Sequence, residues 1–213
     1  MEVKLTYKPE DFPNAFNVNG KSFIPSYEEL CEQINSHPKL VFFKDVDEEE
    51  GLPPFVPNFY KYLVNNGRIP TQEEFYQYYV SRHKKKVADK DIKGRAYRAY
   101  PSIIRDIHFA AMLRHMNEEQ NFADEVKYSS VLDMQYDADV MVTKGDKHVG
   151  ICLFTNDRKS YDNRKKKQVK RFENVEYIEL PISIDYSNPG FTLYTEEDAN
   201  KVITKVNELL NNV

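Results

Sequence analysis

The sequence has few cysteines and no long apolar run. Only Cys31 and Cys152 are present among 213 residues, and their separation gives no metal-type spacing. We therefore expect two buried, reduced thiols in a cytoplasmic protein. No stretch approaches the roughly 20 apolar residues needed to cross a bilayer. The first residues, MEVKLTYKPEDF, have no apolar core of the kind that a secretory signal needs, so we expect neither membrane insertion nor secretion.

The charge of the chain is segregated along the sequence. Residues 158–171 contain one acid and carry +7, and residues 82–98 carry +6. Because the net charge is −4, the rest of the chain carries −17. This asymmetry predicts a face that binds DNA or another polyanion on an otherwise acidic body. Two solvated helix faces without a partner are the alternative interpretation.

The first half of the chain predicts short helices and one hairpin. Asn19-Gly20 indicates a tight turn between two strands, and Ser26 with Glu29 forms a capping box that predicts a helix start. A helix over 59–64 ends near Gly67, and a second capping box, Thr71 with Glu74, begins the next helix. This outline fits a DNA-reading helix-turn-helix and also an ordinary helical hairpin.

The second half predicts the order helix, strand, strand, strand, helix, strand. An amphipathic helix opens at Tyr100-Pro101, and the apolar or alternating segments 124–131, 138–143, 149–154 and 175–180 are typical of strands. Thr155-Asn156-Asp157 is a helix-starting cluster before the basic segment. A last helix begins near Thr195. We therefore expect an α/β (α+β) chain with a mainly helical region over 1–98 and an α/β domain over 99–213.

This order, together with Asp139 on the second strand, resembles the PD-(D/E)xK restriction-endonuclease-like superfamily over residues 100–181. The resemblance implies a restriction-endonuclease-like αβββαβ core and Mg²⁺-dependent cleavage of DNA phosphodiesters. It also implies an acid-x-lysine pair on the third strand, where the acid completes the metal site and the lysine polarises water or steadies charge.

The predicted hairpin register does not supply that pair. If Gly145-Asp146 is a two-residue turn, Asp139 lies opposite Cys152, and the third-strand positions on that face are Cys152 and Phe154. The nearest Asp-x-Lys is Asp157-Arg158-Lys159, beyond the strand. The metal site is therefore interpreted as degenerate.

Three functions remain open at this point. The first is nucleic-acid binding through hydroxyl, guanidinium and ammonium groups of the basic segments, since a helix N-terminus also attracts phosphate. Its candidate residues are Thr155, Arg158, Lys159, Ser160, Arg164, Lys165, Lys166, Lys167, Arg171, Arg82 and Lys85. The second is an active Mg²⁺-dependent endonuclease with Asp139 and Asp157 as metal ligands and catalytic residues and with Lys159 as the charge stabiliser. Asp106 or His108 would add a ligand.

The third function is a protein-interaction module that uses the acidic body or the aromatic-rich first half. For the nucleic-acid-binding interpretation no cofactor is expected, and for the endonuclease Mg²⁺ is expected. A small nuclease-like protein with a decayed site also fits a phage or another mobile element.

Overall fold

The chain divides into two compact units. The computed structural model describes residues 17–18, 21–22, 26–42, 52–87, 92–128, 132, 136–157, 161–162, 168 and 171–211. Among them, Met116–Ser183 and Asn200–Val213 belong to what we call the sheet unit, and Phe16–His115 and Ile184–Ala199 belong to the helical unit. The domain boundary predicted after residue 98 falls within a continuous helix, and the compact units divide at other positions.

The helical unit begins with the predicted hairpin, β1 (Asn17–Val18) and β2 (Lys21–Ser22). Helices follow at α1 (Tyr27–Ser36), α2 (Phe55–Asn66) and α3 (Gln72–Val87), and α4 (Lys93–Gln120) begins in this unit. Both predicted capping boxes are confirmed, because Ser26 and Thr71 each exchange hydrogen bonds with the glutamate three residues later. Gly67 ends α2 with a left-handed backbone (φ 65°), which confirms the helix-turn-helix outline.

Helix α4 begins at Lys93, seven residues before the predicted start, and Pro101 lies inside it. The prediction failed because a proline usually opens a helix or breaks it. Here the carbonyl of Tyr97, which loses its normal partner at Pro101, accepts a hydrogen bond from Gln72 Nε2 at 3.1 Å. The same amide group also binds the backbone of Val41, through Oε1 at 2.8 Å and Nε2 at 3.2 Å. A buried side chain from α3 therefore allows α4 to continue through the proline.

The sheet unit has the predicted order of strands. They are β3 (Glu125–Tyr128), β4 (Val140–Lys144), β5 (Lys147–Thr155) and β6 (Glu176–Ile182), and they lie side by side in that order. The first three are antiparallel, and β6 runs parallel to β5 after a crossover. The crossover carries helical residues at 161, 162 and 168, where the basic helix was predicted. The last helix is α5 (Glu196–Asn211).

Alternation along the strands gives the sheet two faces. Pairs such as Val140 with Ile151 and Val142 with Val149 are fully or almost fully buried on one face. The opposite face is more polar near the start of β4 and the middle of β5, and that is where the candidate site lies. Within the described part of the chain, no helix has both the length and the apolar character that a membrane span requires.

Candidate functional site

The hairpin that carries Asp139 has the predicted register. Lys144 pairs with Lys147 across a two-residue turn. The pairing of β4 with β5 ends at Val140 with Ile151. The backbone N–H of Asp139 donates to the carbonyl of the same Ile151 at 2.9 Å, so the regular ladder stops just before Asp139. The predicted position of Asp139 opposite Cys152 stays a prediction.

The Asp139 side chain is bonded to the backbone of β5. Its Oδ2 accepts the N–H of Leu153 at 2.5 Å, and only 7% of the residue is exposed. A buried carboxylate needs hydrogen bonds to remain charged, and a backbone N–H supplies one here. The bond holds the Asp139 carboxylate at the point where β4 begins. Its proposed role as a metal ligand stays a prediction.

A second acid of the same segment, Asp137, lies in a charged cluster. Arg171 donates from Nε to Asp137 Oδ2 at 2.9 Å, and its Nη2 lies 2.9 Å from the same oxygen. That Nη2 also donates to Glu179 Oε1 at 2.8 Å, and Gln168 Nε2 donates to the same oxygen at 2.7 Å. Only 2% of Asp137 is exposed. The guanidinium therefore joins a fully buried acid to a partly exposed one.

Cys152 belongs to this cluster as well. Its thiol donates to the backbone carbonyl of Asp137 at 2.8 Å, and its sulfur lies 3.6 Å from Arg171 Nη2. The parallel pairing of β5 with β6 places Glu179 beside it. Asp137 also has a left-handed backbone (φ 58°), which an aspartate adopts more readily than most residues. We call Asp137, Cys152, Arg171, Tyr177 and Glu179 the Arg171 cluster.

The ring of Tyr177 packs against the guanidinium of Arg171. The Arg171 Cζ atom lies 4.5 Å from the centre of the Tyr177 ring, a cation–π geometry. The ring is fixed by its hydroxyl, which donates to Tyr136 O and accepts from the N–H of Phe172, each at 3.1 Å. A Cβ atom on Gly150 would lie 2.6 Å from Tyr177 Cε1. Glycine is therefore needed there for the ring to lie against β5.

The cluster favours the charged form of Arg171. Partial burial by itself lowers the arginine pKa, but hydrogen bonds to Glu179 and Asp137 act in the other direction. The net result is a pKa of Arg171 above its ordinary value. Burial is the largest cause that raises the pKa of Tyr177 to about 12. At neutral pH the cluster therefore contains a guanidinium cation beside a neutral phenol.

The end of β5 carries two of the predicted site residues. Thr155 and Asp157 are both half-buried, and the N–H of Asp157 donates to Thr155 O at 2.8 Å. The Asp157 carbonyl accepts the N–H of Tyr161 at 3.1 Å, which begins the helical turn. The described residues exclude the predicted site residues Arg158, Lys159, Ser160, Arg164, Lys165, Lys166 and Lys167. Their contacts with nucleic acid stay predictions.

The other predicted nucleic-acid contacts lie on α3 in the helical unit. Arg82 and Lys85 are both exposed. Arg82 donates to the hydroxyl of Tyr78 at 3.2 Å, and its guanidinium lies 5.3 Å from the centre of the Tyr78 ring. The backbone of α3 departs from helical geometry at His83. Both cations are therefore available at a surface, and DNA contact by them stays a prediction.

Asp106 and His108, the extra ligands considered from sequence, lie on α4 in the helical unit. His108 is buried, and its Nε2 lies 3.7 Å from Cys31 Sγ. Burial lowers the pKa of His108 to about 4, so its imidazole is neutral at physiological pH. Cys31 and Cys152 form no disulfide; Cys152 is buried as predicted, whereas Cys31 is only partly buried.

The described residues do not fit a Mg²⁺ ion. Mg²⁺ prefers near-octahedral oxygen ligands. Cys152 and Phe154, the β5 residues at which the resemblance predicts an acid and a lysine, carry a thiol and a phenyl ring, and the Asp137 carboxylate already binds a guanidinium. Within the described parts of the chain, no three histidine, cysteine or acidic side chains come together in a way that could hold a metal.

The sequence pattern missed most of the Arg171 cluster. Asp137 was visible two residues before Asp139, but nothing local indicated that its backbone turns and buries its carboxylate. Glu179 reaches the cluster because β6 pairs in parallel with β5. The register of such a pair depends on the crossover between the strands and does not follow from the local sequence. Arg171 was predicted as a nucleic-acid contact because it ends a basic run. To contact a phosphate, its guanidinium would have to leave two acids.

Comparison with known proteins gives one match. The sequence model of the TaqI restriction endonuclease family matches residues 28–203, which is most of the chain. The match spans α1 to α5, and with them the Asp139 hairpin and the Arg171 cluster. Neither the curated proteins nor the solved structures contain a match to this chain.

Proposed function

The chain belongs to the TaqI restriction endonuclease family, and from this premise we propose that it binds DNA through its basic segments and has a degenerate metal site. The family match is the observation that supports DNA as the binding partner. The sequence of β5 supports degeneracy, since Cys152 and Phe154 stand where the resemblance predicts an acid and a lysine. The protein then holds the phosphate backbone by charge and cleaves it slowly or not at all.

The basic segment after β5 is the first surface proposed to contact DNA. Thr155 and the beginning of the helical turn lie at the carboxyl end of β5, and the +7 segment follows directly. Lysine and arginine contacts to phosphate release counterions from DNA, so binding should weaken steeply with salt. Such contacts position the duplex and do not choose a base sequence. Arg82 and Lys85 on α3 form a second proposed basic surface.

The test measures the affinity of the purified protein for a fluorescent 20-base-pair duplex as the salt concentration rises. Reversal of Lys165, Lys166 and Lys167 to glutamate should lower the affinity at least tenfold. It should also reduce the slope of log K against log salt by about three, roughly one unit per lost phosphate contact. The matched control reverses three exposed lysines elsewhere, Lys39, Lys201 and Lys205, and should bind almost as the wild type does. Equal loss in both variants would remove the basic segment from the proposal.

Family membership also favours a second candidate, an active Mg²⁺-dependent endonuclease. In this proposal Asp139 and Asp157 hold the metal and Lys159 stabilises the developing charge. Plasmid incubated with the protein and Mg²⁺ or Mn²⁺ should then be cut, and Asp139→Asn and Asp157→Asn should each abolish the cutting. Asp162→Asn, an exposed acid on the same turn, is the control and should leave it intact. Cutting with this pattern would replace the binding-only proposal, and no DNA affinity even at low salt would favour a protein partner instead.

A further inference from the structure

The Arg171 cluster has the composition of a cation site. Two carboxylates, from Asp137 and Glu179, converge on one position, and a thiol sulfur borders it. Asp137 is 2% exposed, so its charge is far too costly to bury without a positive partner. A cation at this position therefore allows the Asp137 carboxylate to stay ionised in the folded protein.

The cation that fills the position comes from the chain itself. Arg171 bonds both carboxylates from one edge of its guanidinium, at 2.8 and 2.9 Å, and Tyr177 covers its face. Charge-assisted hydrogen bonds of this length are among the strongest in proteins. The aromatic ring excludes water from one side, so the site is built around this group.

This position also lies beside the β5 residue at which the resemblance to the restriction-endonuclease-like superfamily implies a metal ligand. Arg171 Nη2 lies 3.6 Å from the sulfur of Cys152, and Cys152 is the β5 residue at which the resemblance predicts the acid of the metal site. A hard divalent cation has no oxygen ligand at that residue. The residues that surround the position thus fit a guanidinium better than Mg²⁺.

We infer that Asp137 and Glu179 form a cation site which Arg171 fills from within, and that the guanidinium and a divalent cation compete for it. The native protein therefore needs no metal at this site. Loss of the guanidinium opens the site, since one or two carboxylates and several waters are enough to bind Mn²⁺ or Mg²⁺. The inference does not depend on DNA binding.

The test compares thermal unfolding with MnCl₂, MgCl₂ or EDTA, and with KCl at equal ionic strength. Wild-type Tm should change by no more than it does in KCl. Arg171→Ala should lower Tm by about 10 °C, as expected when one partner of a buried ion pair is removed. Millimolar Mn²⁺ should then raise the Tm of Arg171→Ala by several degrees, and should not do so in Arg171→Ala/Asp137→Asn.

Two outcomes would overturn the inference. One is saturable stabilisation of the wild type by Mn²⁺ that Asp137→Asn abolishes, since a metal would then occupy the site already. The other is an Arg171→Ala protein whose Tm ignores Mn²⁺. If Arg171→Ala does not fold without metal, circular dichroism measures whether Mn²⁺ restores its helical signal. Arg171→Gln, which keeps hydrogen-bond donors without charge, provides a milder variant with the same expected Mn²⁺ response.

Discussion

Asp137 in the sheet unit and His108 in the helical unit are both ionisable and almost completely buried. Asp137 is nevertheless charged, whereas His108 is neutral. Asp137 keeps its charge because Arg171 lies 2.9 Å from its carboxylate. His108 has Cys31 at Nε2, the ring of Tyr27 beside it, and no hydrogen-bond partner for Nδ1 among the described residues. Burial lowers the pKa of His108 to about 4, and the ring stays neutral. The comparison teaches that the partner, and not burial alone, decides whether a buried group is charged.

The largest expected effect tests the neutral member of this comparison. The native His108 has a lower pKa than the 6.5 of an ordinary histidine. The neutral imidazole therefore makes its full contribution to the free energy of unfolding above pH 6.5. As the pH falls from 6.5 towards 4, the unfolded chain gains a proton that the native protein does not accept, and stability is lost. The loss should reach about 3 kcal/mol at pH 4 and about 2 kcal/mol at pH 5.

Urea unfolding followed by circular dichroism at pH 7 and pH 5 measures this loss. His108→Gln is the control, because glutamine is polar but does not titrate in this range. The variant should lose about 2 kcal/mol less than the wild type between the two pH values. If both proteins lose the same stability, His108 is protonated in the native protein and the contrast with Asp137 fails.

An intermediate effect is expected at a buried group that is polar but never charged. Gln72→Leu removes the amide that binds the carbonyl of Tyr97 beside Pro101 and the backbone of Val41. The orphaned backbone groups should cost about 2 kcal/mol in the free energy of unfolding. Unlike the His108 effect, this cost should be the same at pH 5 and pH 7.

Gln77→Leu serves as the matched control, since Gln77 lies exposed on the same helix and its side chain donates to Glu73. It should change stability by less than about 0.5 kcal/mol. A Gln72→Leu protein as stable as this control would show that α4 passes Pro101 without help from Gln72.

The smallest expected effect concerns Tyr177, whose ring supports the charged pair of Arg171 and Asp137. Gly150→Ala places a methyl group 2.6 Å from the Tyr177 ring, which must shift away from β5. Because the ring is only half-buried, we expect a cost of about 1 kcal/mol. Because that ring lies against the guanidinium, the cost should be smaller when Arg171→Gln is already present. Strict additivity of the two substitutions would mean that Tyr177 does not support Arg171.

Much of the fold followed from local sequence patterns. The capping boxes at Ser26 and Thr71 located two helix starts, and the alternation around Asp139 with its two-residue turn set the hairpin register. Such signals act within a few residues, so a sequence contains them in full. Helix α4 is the exception, because the group that compensates for Pro101 lies 29 positions earlier, at Gln72.

The sequence by itself determined the order of the strands, the absence of an acid-x-lysine pair on β5 and the concentration of positive charge after β5. Tertiary structure alone decided which charges meet. Arg171 ends a basic run and looked like a surface contact, yet it turns inward to Asp137 and Glu179. The physical reason is the separation along the chain between the residues that interact. Capping and strand alternation depend on neighbours in the chain, whereas a buried ion pair depends on which distant carboxylate the packing places within about 3 Å.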